Sequence, residues 1–224
     1  MIPLRDDNPT KRFPFVTVAI IGLCCLVYAY QFFLNANESM LKVYSFGFIP
    51  GVFFGHDSLP DDLTYLPSSF TLITSIFMHG GIMHLLGNML YLWVFGDNIE
   101  SFFGAFRFAI FYLFCGLVAT FSHAIVDTES IIPLIGASGA ISGVLGAYMV
   151  LYPRAKVLVA IPIFYFIYTT RLPAAVVLSI WFIIQLVSSI LQDAGSGIAF
   201  LAHVGGFVSG LIVVFLIKLG GGRL

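Results

Sequence analysis

Six runs of apolar residues dominate this chain, and each run is bounded by charged residues, glycine or proline. The runs cover approximately residues 13–34, 81–96, 104–126, 137–152, 173–192 and 197–218. A helix that crosses the hydrocarbon core of a bilayer needs about 20 predominantly apolar residues. The pattern therefore predicts an all-α polytopic membrane protein, folded as a bundle of six transmembrane helices.

The composition agrees with a membrane location and excludes other classes of function. Hydrophobic residues make up 59 % of the 224 residues and charged residues 9 %, against about 45–50 % and 25 % in soluble domains. Six spans with short loops use this length, so we expect a single domain, residues 1–224, embedded in the lipid bilayer. A net charge of −1 argues against a nucleic-acid partner, because phosphate binding requires a basic face. The sequence carries no signal for a particular oligomeric state.

The distribution of basic residues predicts how the helices are oriented. Six crossings place both termini on one side, and if that side is cytoplasmic, nine of the ten basic residues lie inside: Arg5, Lys11, Arg12, Arg107, Arg154, Lys156, Arg171, Lys218 and Arg223. Lys42 alone lies outside. This asymmetry follows the positive-inside rule. We therefore predict a multi-pass protein of the cell (cytoplasmic) membrane with cytoplasmic N- and C-termini, whose first run is a retained anchor and not a signal peptide.

Two segments between the runs are themselves partly apolar. The outer loop, about residues 35–80, contains a group of large apolar side chains, and we expect it to dip into the outer leaflet. On the cytoplasmic side, residues 157–168 are apolar but contain Pro162 and are too short to span the bilayer. We expect them to form an interfacial segment before the fifth helix.

Ser138 lies at the start of the fourth run and His203 near the start of the sixth. Ser138 precedes Arg154 by 16 residues (154 − 138), about 24 Å of helix, and His203 precedes Lys218 by 15 (218 − 203), about 22 Å. The two side chains therefore reach a similar depth, recessed from the outer surface. A hydroxyl beside an imidazole can act as a nucleophile with its base. Because no spanning carboxylate lies at this depth, the sequence predicts a dyad and not a triad.

Stripes of small residues predict that the helices carrying Ser138 and His203 pack closely. The stripes are Gly139, Gly143 and Gly146 on one helix, and Ala202, Gly206 and Gly210 on the other. Small residues let helix backbones approach each other in lipid. Ser138 and His203 each lie next to such a stripe, so the two side chains can meet.

A second polar cluster, His79, His84 and Asn88, lies at the start of the second run. His84 and Asn88 are four residues apart and share one helix face. His84 precedes Glu100 by 16 residues (100 − 84), which places it near the depth of Ser138 if Glu100 marks the inner boundary. An imidazole and an amide are donors suited to a developing oxyanion. For His79, a position in a loop near the outer surface is an equally good interpretation.

Taken together, these motifs resemble the rhomboid family of intramembrane serine proteases, in its six-helix prokaryotic form. The resemblance covers nearly the whole chain. It rests on Gly136-Ala-Ser138-Gly139, on Ala202-His203-Val-Gly-Gly206 and on His79-x4-His84-x3-Asn88, in this order.

The resemblance implies a serine endopeptidase that cleaves transmembrane protein substrates in or near their spanning segments, with no metal or cofactor. Ser138 would attack the peptide carbonyl, and His203 would take the proton and return it to the leaving amine. His84, Asn88 and the backbone N–H of Ser138 would bind the oxyanion. The supporting residues would be His79, Gly136, Gly139 and Gly206, and the site would open to the outer face.

Two positions depart from the family pattern. Some rhomboids carry a Tyr four residues after the nucleophile, packed on the catalytic His, but Ser142 stands here, so another group must orient His203. Phe70-Thr71 replaces a Trp-Arg pair of the first outer loop. The fifth helix and the loop at residues 193–197, rich in Gly and Ser, are expected to form a mobile gate and cap.

Two hypotheses from other classes remain open at this point. Histidine is a common ligand of divalent metals, so a metal-ion transporter could use His79, His84 and His203. A non-proteolytic rhomboid-like protein could bind unstable transmembrane helices, although such proteins generally lack the serine or the histidine. Replacement of Ser138 separates these hypotheses from the protease.

Overall fold

The structure is a computed structural model that describes residues 1–10, 12–191 and 199–221, and these residues are mostly helical. The α-helices are α1 (Phe15–Phe33), α2 (Ala36–Phe46), α3 (Pro50–Phe54), α4 (Ser68–Thr74), α5 (Ile82–Phe103), α6 (Ala105–Ala124), α7 (Ser138–Leu151), α8 (Ala174–Leu191) and α9 (Phe200–Leu219). The β-strands are β1 (Ile2–Asp6), β2 (Lys156–Ile163) and β3 (Phe166–Pro173). The predicted loop at 193–197 and the basic residues Lys11 and Arg223 lie outside the described residues.

Four helices are long and apolar enough to cross a membrane, namely α1, α6, α8 and α9. The segment Asp61–Phe77 together with α5 gives a fifth candidate, bent by 79° at its break. Helix α7 is apolar but has only 14 residues. The chain is therefore a multi-pass membrane protein with four to five candidate spans among the described residues, and each of the six predicted runs contains one helix.

Helix α5 continues past the predicted end at residue 96 because its last turns carry polar groups that are bonded inside the protein. Glu100 is 4 % exposed and accepts from the backbone N–H groups of Val16 (2.9 Å) and Thr17 (2.8 Å) and from the Thr17 hydroxyl (2.8 Å). The first N–H groups of a helix have no partner within that helix. Glu100 therefore caps α1, instead of marking the end of an apolar run.

Helix α7 lies in the middle of the bundle and packs against α5, α6, α8 and α9. Its contact with α9 is as close as the small-residue stripes predict. A Cβ atom on Gly206 would lie 2.1 Å from the carbonyl oxygen of Gly139, and one on Gly210 would lie 1.9 Å from that of Gly143. Only residues without side chains permit this backbone contact.

The described residues also contain a three-stranded antiparallel sheet in the order β1-β2-β3. The all-α prediction is therefore wrong for this part of the chain, and the segment at 157–168 belongs to a β-hairpin. Its β-branched and aromatic residues suit strands. Pro162 lacks a backbone N–H, and a proline is tolerated where a strand is paired on one side only. Because β1 pairs with β2 only at residues 157–160, the strand is paired at Pro162 with β3 alone. The sheet lies at the end of the bundle opposite Ser138, here called the sheet end.

Part of the apolar loop at 35–80 packs against protein, in addition to any contact with lipid. Phe48 is fully buried and Ile49 is 4 % exposed. Phe48 forms a small second core with Leu72 and Ala124, and its backbone is paired with Leu134. This packing fixes the loop against α6 and against the segment that leads into α7.

Candidate active site

Ser138 begins α7, and the residues before it are held against α5. Gly136 has a φ of 123°, a conformation that L side chains rarely adopt. A Cβ atom there would also lie 2.8 Å from the Cε1 and Nε2 atoms of His84. Its N–H donates to the carbonyl of Ser75 at 2.9 Å. Gly136 therefore allows the turn before Ser138 and the close approach of the His84 ring.

His203 lies in the first turn of α9, and its ring meets Ser138. The distance from His203 Nε2 to Ser138 Oγ is 2.8 Å. The close approach at Gly139 and Gly206 brings the two helices together at this level. The structure therefore places the two residues, 65 positions apart, within hydrogen-bond distance.

The other nitrogen of His203 contacts a residue that sequence reasoning missed. Gln185 on α8 lies with its Oε1 2.7 Å from His203 Nδ1, and it is 9 % exposed. Ser142 does not take this role, because its hydroxyl donates to the Ser138 carbonyl at 2.6 Å. The available signal was an amide in the interior of the apolar run at 173–192, whose last residue, Gln192, is also an amide. No pattern within that run links the amide to His203.

His84 and Asn88 lie on the first turns of α5 and line the same cavity as Ser138 and His203. The N–H of Gly80 donates to His84 Nδ1 at 3.4 Å, so in the neutral ring Nε2 carries the proton. Asn88 is 7 % exposed, and its Nδ2 has no hydrogen-bond partner among the described residues. A buried donor without a partner costs free energy. Both residues line the cavity, and the Asn88 Nδ2 donor is not used by any other described residue.

His79 is buried beneath His84 and does not occupy an exposed loop. Its side chain is 1 % exposed, and its ring centroid lies 5.1 Å from that of His84, at 66°. Gln31 on α1 holds the His79 backbone through two hydrogen bonds of 3.3 Å, to the N–H and to the carbonyl. His79 is not among the residues that line the cavity, and its ring packs edge-on against that of His84.

The cavity over these residues has a volume of about 1140 Å³. Its walls come from α5, α7, α8 and α9 and from the segment at 130–135, and His123 of α6 also contributes. Tyr91 of α5 and Trp181 of α8 approach to 6.4 Å between ring centroids. Small-molecule sites commonly occupy about 300–1,000 Å³. The cavity is therefore large enough for several residues of an extended peptide.

The fold and the cavity define a polytopic helical membrane protein in which a Ser and a His form a hydrogen bond inside the bundle. The family model for the Rhomboid domain matches residues 67–219, which is more than half of the chain. The matched range includes Ser138, His203, His84 and Asn88. The chain therefore belongs to the rhomboid family.

Similar proteins come from plants, fungi and bacteria. The chain is 30 % identical over 148 residues to RHOMBOID-like protein 5 of Arabidopsis thaliana. The aligned stretch covers 66 % of this chain and 44 % of that protein. It is 37 % identical over 98 residues to Rhomboid protein 1, mitochondrial, of Saccharomyces cerevisiae, an alignment that covers 42 % of this chain and 28 % of that protein. It is 40 % identical over 78 residues to Rhomboid protease GluP of Bacillus subtilis, an alignment that covers 35 % of this chain and 15 % of that protein. The chain thus matches less than half the length of each.

Proposed function

We propose that this protein is an intramembrane serine endopeptidase with Ser138 as nucleophile and His203 as general base. The observation that carries the proposal is the distance of 2.8 Å between Ser138 Oγ and His203 Nε2. A nucleophile within hydrogen-bond reach of a base is the signature of covalent catalysis. Membership of a family that includes a protein named as a protease supports the proposal.

The reaction begins when Ser138 Oγ attacks the carbonyl carbon of the scissile peptide and its proton passes to His203 Nε2. The C–N bond then breaks, and the imidazolium gives this proton to the leaving amine. Water enters through the open cavity, loses a proton to His203 and attacks the ester. When the C–O bond to Ser138 breaks, the proton returns to Oγ and the carboxylic acid leaves. Each proton passes through His203 Nε2.

Three donors are suited to stabilise the oxyanion of both tetrahedral intermediates: His84 Nε2, Asn88 Nδ2 and the backbone N–H of Ser138. The contact from Gly80 to His84 Nδ1 supports the assignment of Nε2–H as a donor. Asn88 Nδ2 lacks a partner among the described residues. The N–H of Ser138 belongs to the N-terminus of α7, where N–H groups are free to bind a ligand. Donors fixed in advance stabilise charge as it develops.

We further propose that the six apolar runs form six spans of a single domain, with both termini cytoplasmic and the cavity open to the outer face of the cell membrane. The charge asymmetry supports this orientation. The substrates are then membrane proteins whose spanning segment enters between α5 and α8, where Tyr91 and Trp181 form the narrow side of the cavity. The large volume of the cavity supports a peptide substrate.

The deciding experiment replaces Ser138 by Ala in the full chain in bilayers. We expect the wild type to cleave a single-span model substrate and to react with a serine-directed phosphonate. Ser138→Ala should lose both activities and keep the wild-type melting temperature. Cleavage by folded Ser138→Ala would overturn the dyad.

The transporter hypothesis predicts metal flux that survives Ser138→Ala, so a flux assay on the same two samples separates it from the protease. The structure favours the protease, because both nitrogens of His203 are engaged by Ser138 and Gln185. Moreover, no group of three His, Cys, Asp or Glu side chains within the described residues is arranged to hold a metal ion. Binding of a model substrate without cleavage would instead favour the non-proteolytic protein.

A further inference from the structure

The Nδ1 atom of His203 faces Gln185 on α8, at 2.7 Å from Oε1. We propose that Gln185 is the positioning residue that replaces the missing third member of the site, an inference that rests on the proposed protease function. An amide oxygen can only accept a hydrogen bond. The contact therefore selects the tautomer with the proton on Nδ1, and this leaves the lone pair of Nε2 directed at Ser138.

The other neighbours of the His203 ring cannot supply this hydrogen bond. The ring centroids of Trp181 and Phe200 lie 6.1 Å and 6.2 Å from that of His203, and neither side chain carries an acceptor oxygen or nitrogen. Ser142 donates to its own helix. Among the described residues, Gln185 is the side chain that hydrogen-bonds Nδ1.

Gln185 and Trp181 act from one face of α8, because they are four residues apart. The indole ring of Trp181 lies at 36° to the imidazole of His203, and the amide of Gln185 hydrogen-bonds the edge of the imidazole at Nδ1. Together they limit rotation of the imidazole about both side-chain torsions. This two-point contact performs the orienting task for which Ser142 is too small.

The location of Gln185 couples the site to the position of α8. This helix contacts α9 through Phe182, whose ring stacks on Phe207 at 4.6 Å, while several of its other side chains are exposed: Ile183, Ile184, Leu186, Val187, Ile190 and Leu191. A displacement of α8 that widens the gap between Tyr91 and Trp181 also withdraws Gln185 from His203. The base is therefore correctly oriented only when α8 is packed against the bundle.

The test compares Gln185→Leu and Gln185→Glu with the wild type, in bilayers and as full chains. Leu removes the acceptor at similar size, whereas Glu keeps an acceptor oxygen in either protonation state. Ser188→Ala is the matched control, because Ser188 lies on α8 three residues after Gln185, is half-buried and is not among the residues that line the cavity. Two readouts are taken: kcat and KM for the model substrate, and the ¹⁵N spectrum of His203, in which protonated and unprotonated ring nitrogens are well separated.

We expect Gln185→Leu to lower kcat about 10–100-fold, the range seen when a hydrogen-bond partner that orients a ligating histidine is removed, with little change in KM. Its ¹⁵N spectrum should show a mixture of tautomers where the wild type shows Nδ1–H. Gln185→Glu should recover most of the kcat and the Nδ1–H signal, and Ser188→Ala should resemble the wild type. This set of results would support the positioning role.

Two results would overturn the role. The first is an Nδ1–H signal in Gln185→Leu equal to that of the wild type, since the tautomer would then be set by another group. The second is an equal loss of kcat in Gln185→Leu and Gln185→Glu, since the side chain would then act through packing. The spectrum is recorded without substrate, so failure of cleavage in the wild type would reject the protease while the tautomer still decides the role of Gln185.

Discussion

Some residues of the site can be predicted from their depth in the membrane, counted in residues along each helix. Others can be identified only from the folded structure. Ser138, His203, His84 and Asn88 line one cavity, as expected if their distances from the charged helix ends place them at one level. Gln185 could not be predicted in this way, because its role depends on the rotation of α8 about its own axis. The apolar run at 173–192 does not define that rotation, since most of its positions suit lipid equally well.

The unpaired amide of Asn88 leads to a prediction about both activity and stability. We expect Asn88→Ala to lower kcat about 10²–10³-fold, the typical cost of losing one oxyanion donor. Its melting temperature should not fall, because the mutation removes a buried donor that lacks a partner among the described residues. Cleavage kinetics and thermal unfolding of the same purified sample provide the measurement.

Asn37→Ala is the matched control for this prediction, since Asn37 is exposed on α2. It should leave cleavage unchanged. A wild-type kcat in Asn88→Ala would remove Asn88 from the oxyanion site. A lower melting temperature would mean that the amide is bonded in the resting protein.

At the scale of elements, the sequence predicted helices better than it predicted strands. Each apolar run contains a helix, because burial in lipid requires that backbone groups be satisfied within the segment. The hairpin β2–β3 was missed because Pro162 and the short apolar stretch indicated an interfacial segment. The partner strand β1 comes from residues 2–6, more than 150 positions earlier, and local patterns carry no information about such a distant pairing.

The contact between α7 and α9 predicts that Gly206→Ala is damaging. A Cβ atom there would lie 2.1 Å from the Gly139 carbonyl oxygen, so the two helices must move apart. Overpacking of this kind typically costs about 1–3 kcal/mol. Because the same contact holds His203 beside Ser138, we expect cleavage and phosphonate labelling to fall together with the melting temperature.

Gly22→Ala is the matched control, because a Cβ atom at Gly22 would meet nothing within 4 Å. This variant should keep the wild-type melting temperature and activity. If Gly206→Ala were as stable and active as Gly22→Ala, the close contact of α7 and α9 would not be what positions the two side chains.

At the scale of the whole molecule, α7 connects the site to the sheet end. Tyr148 follows Ser138 by ten positions (148 − 138), about 15 Å of helix, and its hydroxyl donates to the carboxylate of Asp6 on β1. Asn98 of α5 also donates to Asp6, at 3.1 Å, and is itself bonded to Asn8. The N-terminal strand is thus joined to the two helices that carry Ser138 and the proposed oxyanion donors.

This polar cluster leads to a prediction about pH and stability. Burial raises the pKa of Asp6 above its ordinary value, and the nearby charge of Asp97 adds to this effect, while the hydrogen bond from Tyr148 opposes it. With the pKa raised in the folded state, the protonated form favours folding. The contribution of Asp6 is therefore fully present below the ordinary Asp pKa and is lost as the pH rises through the folded-state value. Asp6→Asn keeps an acceptor for Tyr148 and cannot ionise.

We therefore expect the melting temperature of Asp6→Asn to exceed that of the wild type by a margin that increases as the pH rises above the ordinary Asp range. At lower pH the two proteins should melt together, because Asp6 is then protonated in both folded and unfolded states. Thermal unfolding of both proteins across this pH range is the measurement, with Asp57→Asn in the exposed loop as the control. A margin of the opposite sign at neutral pH would mean that the hydrogen bonds to the carboxylate outweigh its burial. The N-terminal strand would then be held to α5 and α7 by the charge of Asp6.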